Sequence, residues 1–278
     1  MIRLRGGRIF RWRRNRIVTE LTGPSDDSAE SVYAQPGTGA RLDWGLAGAA
    51  ELSRVCAVLV VVDVLSFTTS VEVAVARGMR VHPFPWGAQA AEYATRVGAV
   101  AAVGRRAVTP DHPWSLSPAA LHTAPVVPEL VLPSPNGSAI SAAASATGLP
   151  VVAACLRNAT AVGRWLLAQG YGSTTAPIGI VAAGERWPDE SLRPAVEDQL
   201  GAAAVLDALS TVSGGLSVEA ALALAALNSL PDVPAAVRGS VSGRELVTRG
   251  FGQDVEIAVQ VGVSDVVPVL RNGVYSPA

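Results

Sequence analysis

Four short polar segments, each placed between an apolar run and a stretch of helical length, carry most of the side chains able to do chemistry. They are Asp63-Val64-Leu65-Ser66-Phe67-Thr68-Thr69, Ser134-Pro135-Asn136-Gly137-Ser138, Leu156-Arg157-Asn158-Ala159-Thr160, and Gly184-Glu185-Arg186-Trp187, which continues to Ser191-Leu192-Arg193-Pro194. At strand-to-helix junctions the first N–H groups of the helix lack partners, and anions collect there. The four junctions together predict a small anionic ligand. Each also has a structural reading: Asp63 and Asn158 suit helix caps, and Asn136-Gly137 suits an ordinary turn. Asp63, however, ends the run Ala57–Val62, which is apolar on both faces and should be a buried central strand. A carboxylate there is costly without a partner.

The helix expected from Pro194 supplies two further acids, Glu197 and Asp198. Glu197 complements the helix dipole. Asp198 precedes Ala202, Val205 and Leu209 at helical spacing, so it continues an apolar stripe and should point inward. Asp63 and Asp198, joined by Glu185 or Glu197, form an oxygen-only donor set suited to Mg²⁺. Arg157 and Arg193 would offset the remaining negative charge of a phosphate ester. The expected roles are catalysis by Asp63, Asp198 and Glu185, metal binding by Asp63, Asp198 and Glu197, and substrate contact by Ser66, Thr68, Thr69, Asn136, Gly137, Ser138, Arg157, Asn158 and Arg193.

Composition narrows the chemistry further. All 22 cationic side chains are arginine, which removes Schiff-base catalysis and the Walker lysine. A haloacid-dehalogenase-type phosphatase needs a second aspartate two residues after the first and a later lysine; here that position is Leu65 and lysine is absent. Neither cysteine begins a Cys-x5-Arg loop, and Cys56 and Cys155 sit in apolar runs that suggest buried, reduced thiols in the cytoplasm. A net charge of −1 argues against nucleic-acid binding by the folded body.

The elements that must position these groups follow from alternating β-branched runs and Ala-rich segments, in a chain that is 49% hydrophobic. The pattern predicts a three-layer α/β/α fold with a largely parallel or mixed central sheet. Besides 57–62, strands are expected at 31–35, 80–84, 99–103, 129–132, 151–155, 178–182 and 266–270. Helices are expected at 67–78, 88–97, 137–147, 159–169, 194–210, 216–229 and 252–261. The Pro-rich stretch from Thr109 to Pro128 reads as a long loop. Residues 1–28 read as an Arg-rich flexible extension and 29–278 as the catalytic domain; no membrane span or export signal is expected, since prolines and glycines interrupt the uncharged stretch 130–156. The low charged fraction suggests a homo-oligomer, a dimer in the simplest case.

The ordered blocks Val61-Val62-Asp63-Val64-Leu65-x-x-Thr68-Thr69, Pro135-Asn136-Gly137-Ser138, Asn158-Ala159-x-Ala161-Val162, Ala183-Gly184-Glu185 and Ser191-Leu192-Arg193-Pro194-Ala195-x-Glu197-Asp198-x-Leu200-Gly201-Ala202 resemble the Mg²⁺-dependent 2-phosphosulfolactate phosphatases over roughly residues 31 to 270. The resemblance implies hydrolysis of 2-phosphosulfolactate to 3-sulfolactate and phosphate within an α/β/α fold. Two departures stand out. Many members have Arg-Ala where this chain has Ser66-Phe67, and a common Gly-Glu-Arg block is here Gly104-Arg105-Arg106. The missing anion contact would then come from Arg105, Arg106 or Arg157, and the phosphorylated hydroxy acid accepted could differ. A non-catalytic anion-binding protein is the alternative, but it leaves the inward acids Asp63 and Asp198 without a purpose.

Overall fold

A computed structural model describes residues 31–85, 87, 89–209 and 211–278, so the expected extension over 1–28 lies outside the described residues. The elements in chain order are β1 (Ala40–Trp44), α1 (Gly45–Ser53), β2 (Val58–Val62), α2 (Phe67–Ala76), β3 (Arg80–Pro85), α3 (Gln89–Val97), β4 (Val100–Ala101), α4 (Pro118–Thr123), β5 (Glu129–Ser134), α5 (Gly137–Ser145), β6 (Val151–Ala154) and α6 (Ala159–Ala168). They continue as β7 (Ile178–Ala182), β8 (Glu185–Arg186), β9 (Leu192–Arg193), α7 (Val196–Ala208), α8 (Val218–Asn228), α9 (Val233–Gly239), α10 (Val241–Thr248), α11 (Gly252–Ala258), β10 (Pro268–Arg271) and β11 (Val274–Pro277).

Nine strands form one sheet in the order β1-β7-β2-β6-β10-β11-β3-β5-β4, and β8 and β9 make a separate small ribbon. Pairing is parallel within β1-β7-β2-β6 and within β3-β5-β4, and antiparallel across β6/β10, β10/β11 and β11/β3. Helices cover both faces, which is the three-layer α/β/α arrangement.

The apolar character of β2 on both faces explains its central place. Val58, Val60 and Val62 pack into a core with Val162 and Leu166 of α6 and Val205 and Leu206 of α7, while Leu59 and Val61 pack with Leu52 of α1, Val71 of α2 and Ile140 of α5. Strand alternation thus feeds two cores from one strand. Gly201 lets α7 lie against this strand: a Cβ there would sit 2.6 Å from Val64 Cγ2 and 2.8 Å from Val62 Cγ1.

One expected strand is absent. Residues 31–35 form a short 3₁₀ turn over Val32–Ala34, closed by a hydrogen bond from Tyr33 N–H to Ser31 Oγ and a left-handed Gln35. Val32 and Tyr33 are exposed, and the edge strand is instead β1, paired with β7. The stretch Thr109–Pro128 is not only a loop, because Ser117 caps α4 inside it through Ala120 N–H. Helices α1, α9 and α10 and the strands β8, β9 and β11 complete the fold beyond the expected elements. Among the described residues no single helix is long and apolar enough to cross a membrane, and Cys56 and Cys155 are buried and unbridged.

Candidate active site

Asp63 leaves β2 and meets the starts of two helices. Its Oδ1 accepts the Phe67 N–H at 3.0 Å, at the first turn of α2, and its Oδ2 accepts the Gly137 N–H at 2.8 Å, at the first residue of α5. Two helix N-termini therefore converge on one carboxylate, which favours its charge. Burial acts the other way and is the larger effect: it raises the Asp63 pKa, Glu197 raises it further, and the two N–H donors and Arg105 oppose the rise.

The hydroxyl residues of the same junctions hold this geometry from behind. Thr68 Oγ1 accepts the Asp63 N–H and donates to the Asp63 carbonyl, and Thr69 Oγ1 donates to the Val64 carbonyl. Ser138 Oγ accepts the Ser134 N–H and lies within hydrogen-bonding distance of the Ser134 and Phe84 carbonyls. All three are fully buried. Gly137 is required by the contact itself, since a Cβ would stand 2.6 Å from Phe67 Cδ1 and 2.7 Å from Asp63 Oδ2. Gly137→Ala should cost about 1–3 kcal/mol in urea unfolding and lower turnover by displacing Asp63; wild-type stability with wild-type turnover would contradict this placement.

Asp198 points inward from the first turn of α7. Its Oδ1 accepts the Val64 N–H and its Oδ2 the Gly184 N–H, both at 2.8 Å, so it joins the loop after β2 to the turn after β7. Burial and the neighbouring Asp63 and Glu197 raise its pKa well above the ordinary value. Glu197 is buried and makes no hydrogen bond or ion pair among the described residues, yet its charge raises the pKa of Asp63, Asp198 and Glu185 alike. Glu185, on β8, accepts a hydrogen bond from Asn136 Nδ2 at 3.0 Å. Burial, followed by the charge of Asp63, lifts its carboxyl to about 7.

Four acids thus crowd one locus with little opposing positive charge. Among the described residues no three His, Cys, Asp or Glu side chains converge closely enough to enclose an ion by themselves. Buried carboxylates that raise one another's pKa nevertheless fit a hard cation that takes one or two protein ligands and keeps water and phosphate oxygens for the rest.

Asp63, Ser66, Asn136 and Glu185 line a cavity of about 300 Å³ together with Arg105, with Ser242 and Glu245 of α10 and with Arg249, which follows that helix. Asn136 and Glu185 also border a second cavity of about 220 Å³, lined by Trp44 and Arg186. Arg193 lies 5.8 Å over the Trp187 ring and donates to Ser242 Oγ at 3.3 Å. The other two junction residues are engaged elsewhere. Arg157 donates to the buried Glu72 at 2.5 Å and to Gln260, and Asn158 accepts the Cys155 N–H and donates to the Ala153 and Val266 carbonyls. Neither lines the cavity, and of the other expected substrate contacts Thr68, Thr69, Gly137, Ser138 and Arg193 do not line it either, which leaves Ser66 and Asn136.

The α10 wall escaped the sequence reading, although Ser240, whose hydroxyl accepts the Gly243 N–H, is a legible helix start. The departure at Ser66 acquires a structural counterpart as well: Arg105 donates to Ser66 Oγ, so of the three arginines considered it is Arg105 that reaches this corner.

Asp63 thus ends a parallel strand where two helix N-termini meet, in a cleft that also holds Glu185 and Arg105, an arrangement that suits phosphoryl chemistry. The family model described as 2-phosphosulpholactate phosphatase matches residues 47–273, spanning β2, the acids, the arginines and the α10 wall, and the chain therefore belongs to that family of phosphoric monoester hydrolases.

Proposed function

We propose that the protein is a Mg²⁺-dependent phosphatase that converts 2-phosphosulfolactate to 3-sulfolactate and phosphate. The observation that carries the reading is a cleft lined by Asp63, Glu185 and Arg105, with the buried acids Asp198 and Glu197 close behind it: Glu197 raises the pKa of Asp63 and Glu185, and Asp63 and Glu185 raise that of Asp198. Asp63 and either Asp198 or Glu197 would hold the cation, which when bound supplies charge compensation and polarisation of the phosphoryl group. The protein's own part is to seat the ester between Asp63 and the Asn136–Glu185 pair. Asn136 holds Glu185 in place, and Glu185, protonated up to about pH 7, delivers its proton to the departing ester oxygen. Asp63 is also the group placed for attack on phosphorus if the reaction passes through a covalent intermediate. Arg193 stands behind Glu185 and limits the negative charge around it.

Substrate preference tests this reading. The kcat/KM for 2-phosphosulfolactate should exceed that for 2-phospholactate, which lacks the sulfonate, by at least tenfold; equal values would reject the sulfonated substrate while leaving the phosphatase chemistry in place.

The raised pKa values make a separate prediction about stability. Glu185 titrates near its ordinary 4.5 in the unfolded chain and near 7 in the fold. Between these pH values the unfolded state gives up the proton first, so metal-free stability falls as pH rises through this window. Asp63 and Asp198, raised likewise by burial, act in the same direction. Melting in EDTA should drop by a few degrees between pH 5 and pH 7.5, and Mg²⁺ should restore more at pH 7.5 than at pH 5. A melting temperature indifferent to both would remove the cation from the account.

We further read the enzyme as a cytoplasmic homodimer. Its thiols are buried and unbridged, as suits a reducing compartment, and α8 turns Val218 and Leu222 outward as apolar contact surface. Light scattering of the full chain tests the dimer.

A further inference from the structure

Asp254 is 1% exposed and lies far from the acids described above in sequence. Its Oδ1 accepts the Ser117 hydroxyl at 2.5 Å and the Ala119 N–H at 3.2 Å, so the start of α4 fixes the carboxylate. Its Oδ2 accepts Nε–H of Arg105 at 2.7 Å. The same guanidinium lies 5.5 Å over the Phe251 ring and gives one terminal nitrogen to Ser66 Oγ. Its other terminal nitrogen, Nη1, makes no hydrogen bond among the described residues, and the side chain lines the cavity, 18% exposed. A guanidinium held on three sides with one free edge is pre-organised for an anion.

The occupant follows from the neighbours. Arg105 is close enough to Asp63 to lower its pKa, and Ser66 directly precedes the helix whose first N–H binds Asp63. Arg105 therefore stands at the same corner of the cleft as Asp63, where the proposed function seats the phosphoryl group. We infer that Asp254 is a positioning residue, which holds Arg105 so that its free Nη1 edge takes an oxygen of the substrate phosphoryl group. This deepens the proposed function and rests on its placement of the phosphoryl group beside Asp63. In this chain the cation of that corner comes from the turn at Arg105–Ala107, and not from the start of α2.

The chemistry of the clamp sets its test. In Asp254→Asn, keeping the carbonyl oxygen toward Ser117 and Ala119 turns the amide NH₂ toward Arg105, donor against donor, and the guanidinium must leave its place. Inorganic phosphate binding, measured by calorimetry with Mg²⁺ present, should weaken at least tenfold in Asp254→Asn and in Arg105→Met, whereas 3-sulfolactate, which has no phosphate, should bind each within about threefold of wild type. Adding Asp254→Asn to Arg105→Met should weaken phosphate binding no further, because Asp254 acts through the arginine. A further tenfold loss in the double variant would overturn the positioning role, and wild-type phosphate affinity in Arg105→Met would overturn the whole inference. If Asp254→Asn does not fold, Arg105→Met and Arg105→Lys carry the test at a partly exposed site. The lysine keeps the charge but loses the fork, and should recover part of the phosphate affinity; no recovery relative to Arg105→Met would count against an electrostatic clamp. Should wild-type enzyme fail to release phosphate from any ester while Arg105→Met still loses phosphate affinity, the catalytic reading would fail and the anion clamp would stand.

Discussion

Asp63→Asn should lower the rate of phosphate release by at least about a thousandfold, the scale expected when one member of an interdependent catalytic set is removed. The size follows from its position. Among the clustered acids only Asp63 and Glu185 line the cavity, and Asp63 alone receives the first N–H groups of two helices. Asparagine fills the same volume but cannot carry the charge. One of its two ends must also face an N–H as a donor, which costs about 1–3 kcal/mol, partly offset because a buried carboxylate no longer has to be accommodated. Asp198→Asn meets the same conflict at Val64 or Gly184 and should show a similar loss of turnover. Circular dichroism should show both variants folded, with only modest changes in melting. Full activity in both would mean that these acids serve the fold alone.

Glu185→Gln should lower kcat by about a hundredfold to ten-thousandfold, the range of a lost general acid. Glutamine can still accept from Asn136 through its amide oxygen, so the cavity wall and KM should change little. What disappears is a proton available near neutrality. Wild-type kcat/KM should fall as pH rises past about 7, where Glu185 loses its proton, and this limb should be missing from the variant. A variant that keeps the limb, or loses only a few-fold in kcat, would assign the proton transfer to another group.

The parts of this site that were legible in the sequence are those encoded locally. Ala57–Val62 is apolar at every position, which announces a strand buried on both faces, and the acid that ends it stands out for that reason. The inward turn of Asp198 could be read from the spacing of the apolar residues after it. Partners distant in sequence were not legible. Arg157 and Asn158 have the residue types of ligand contacts, but Glu72, Gln260 and the Val266 carbonyl engage them, and nothing near residue 157 encodes that. Asp254 meets Arg105 across 149 positions, so neither residue advertises the other. The displaced edge strand has a local cause: Ser31 and Gln35 close a turn over Val32–Ala34 where β-branched and aromatic content alone suggested extension. Helix α1 was hidden by Gly45 and Gly48, which lower helix propensity, although Gly48 is needed because a Cβ there would stand 2.7 Å from Asp43 Cβ.

The central claim is that the acid cluster works on a phosphate ester only with a divalent cation in place. The most direct test is phosphate release from 2-phosphosulfolactate by the wild-type chain, first in EDTA and then after Mg²⁺ is restored in excess. Release that is lost in EDTA by at least a hundredfold and recovered on adding Mg²⁺ is the expected result. Undiminished release in EDTA would contradict the cation site, and no release in either condition by folded protein would contradict the assigned reaction.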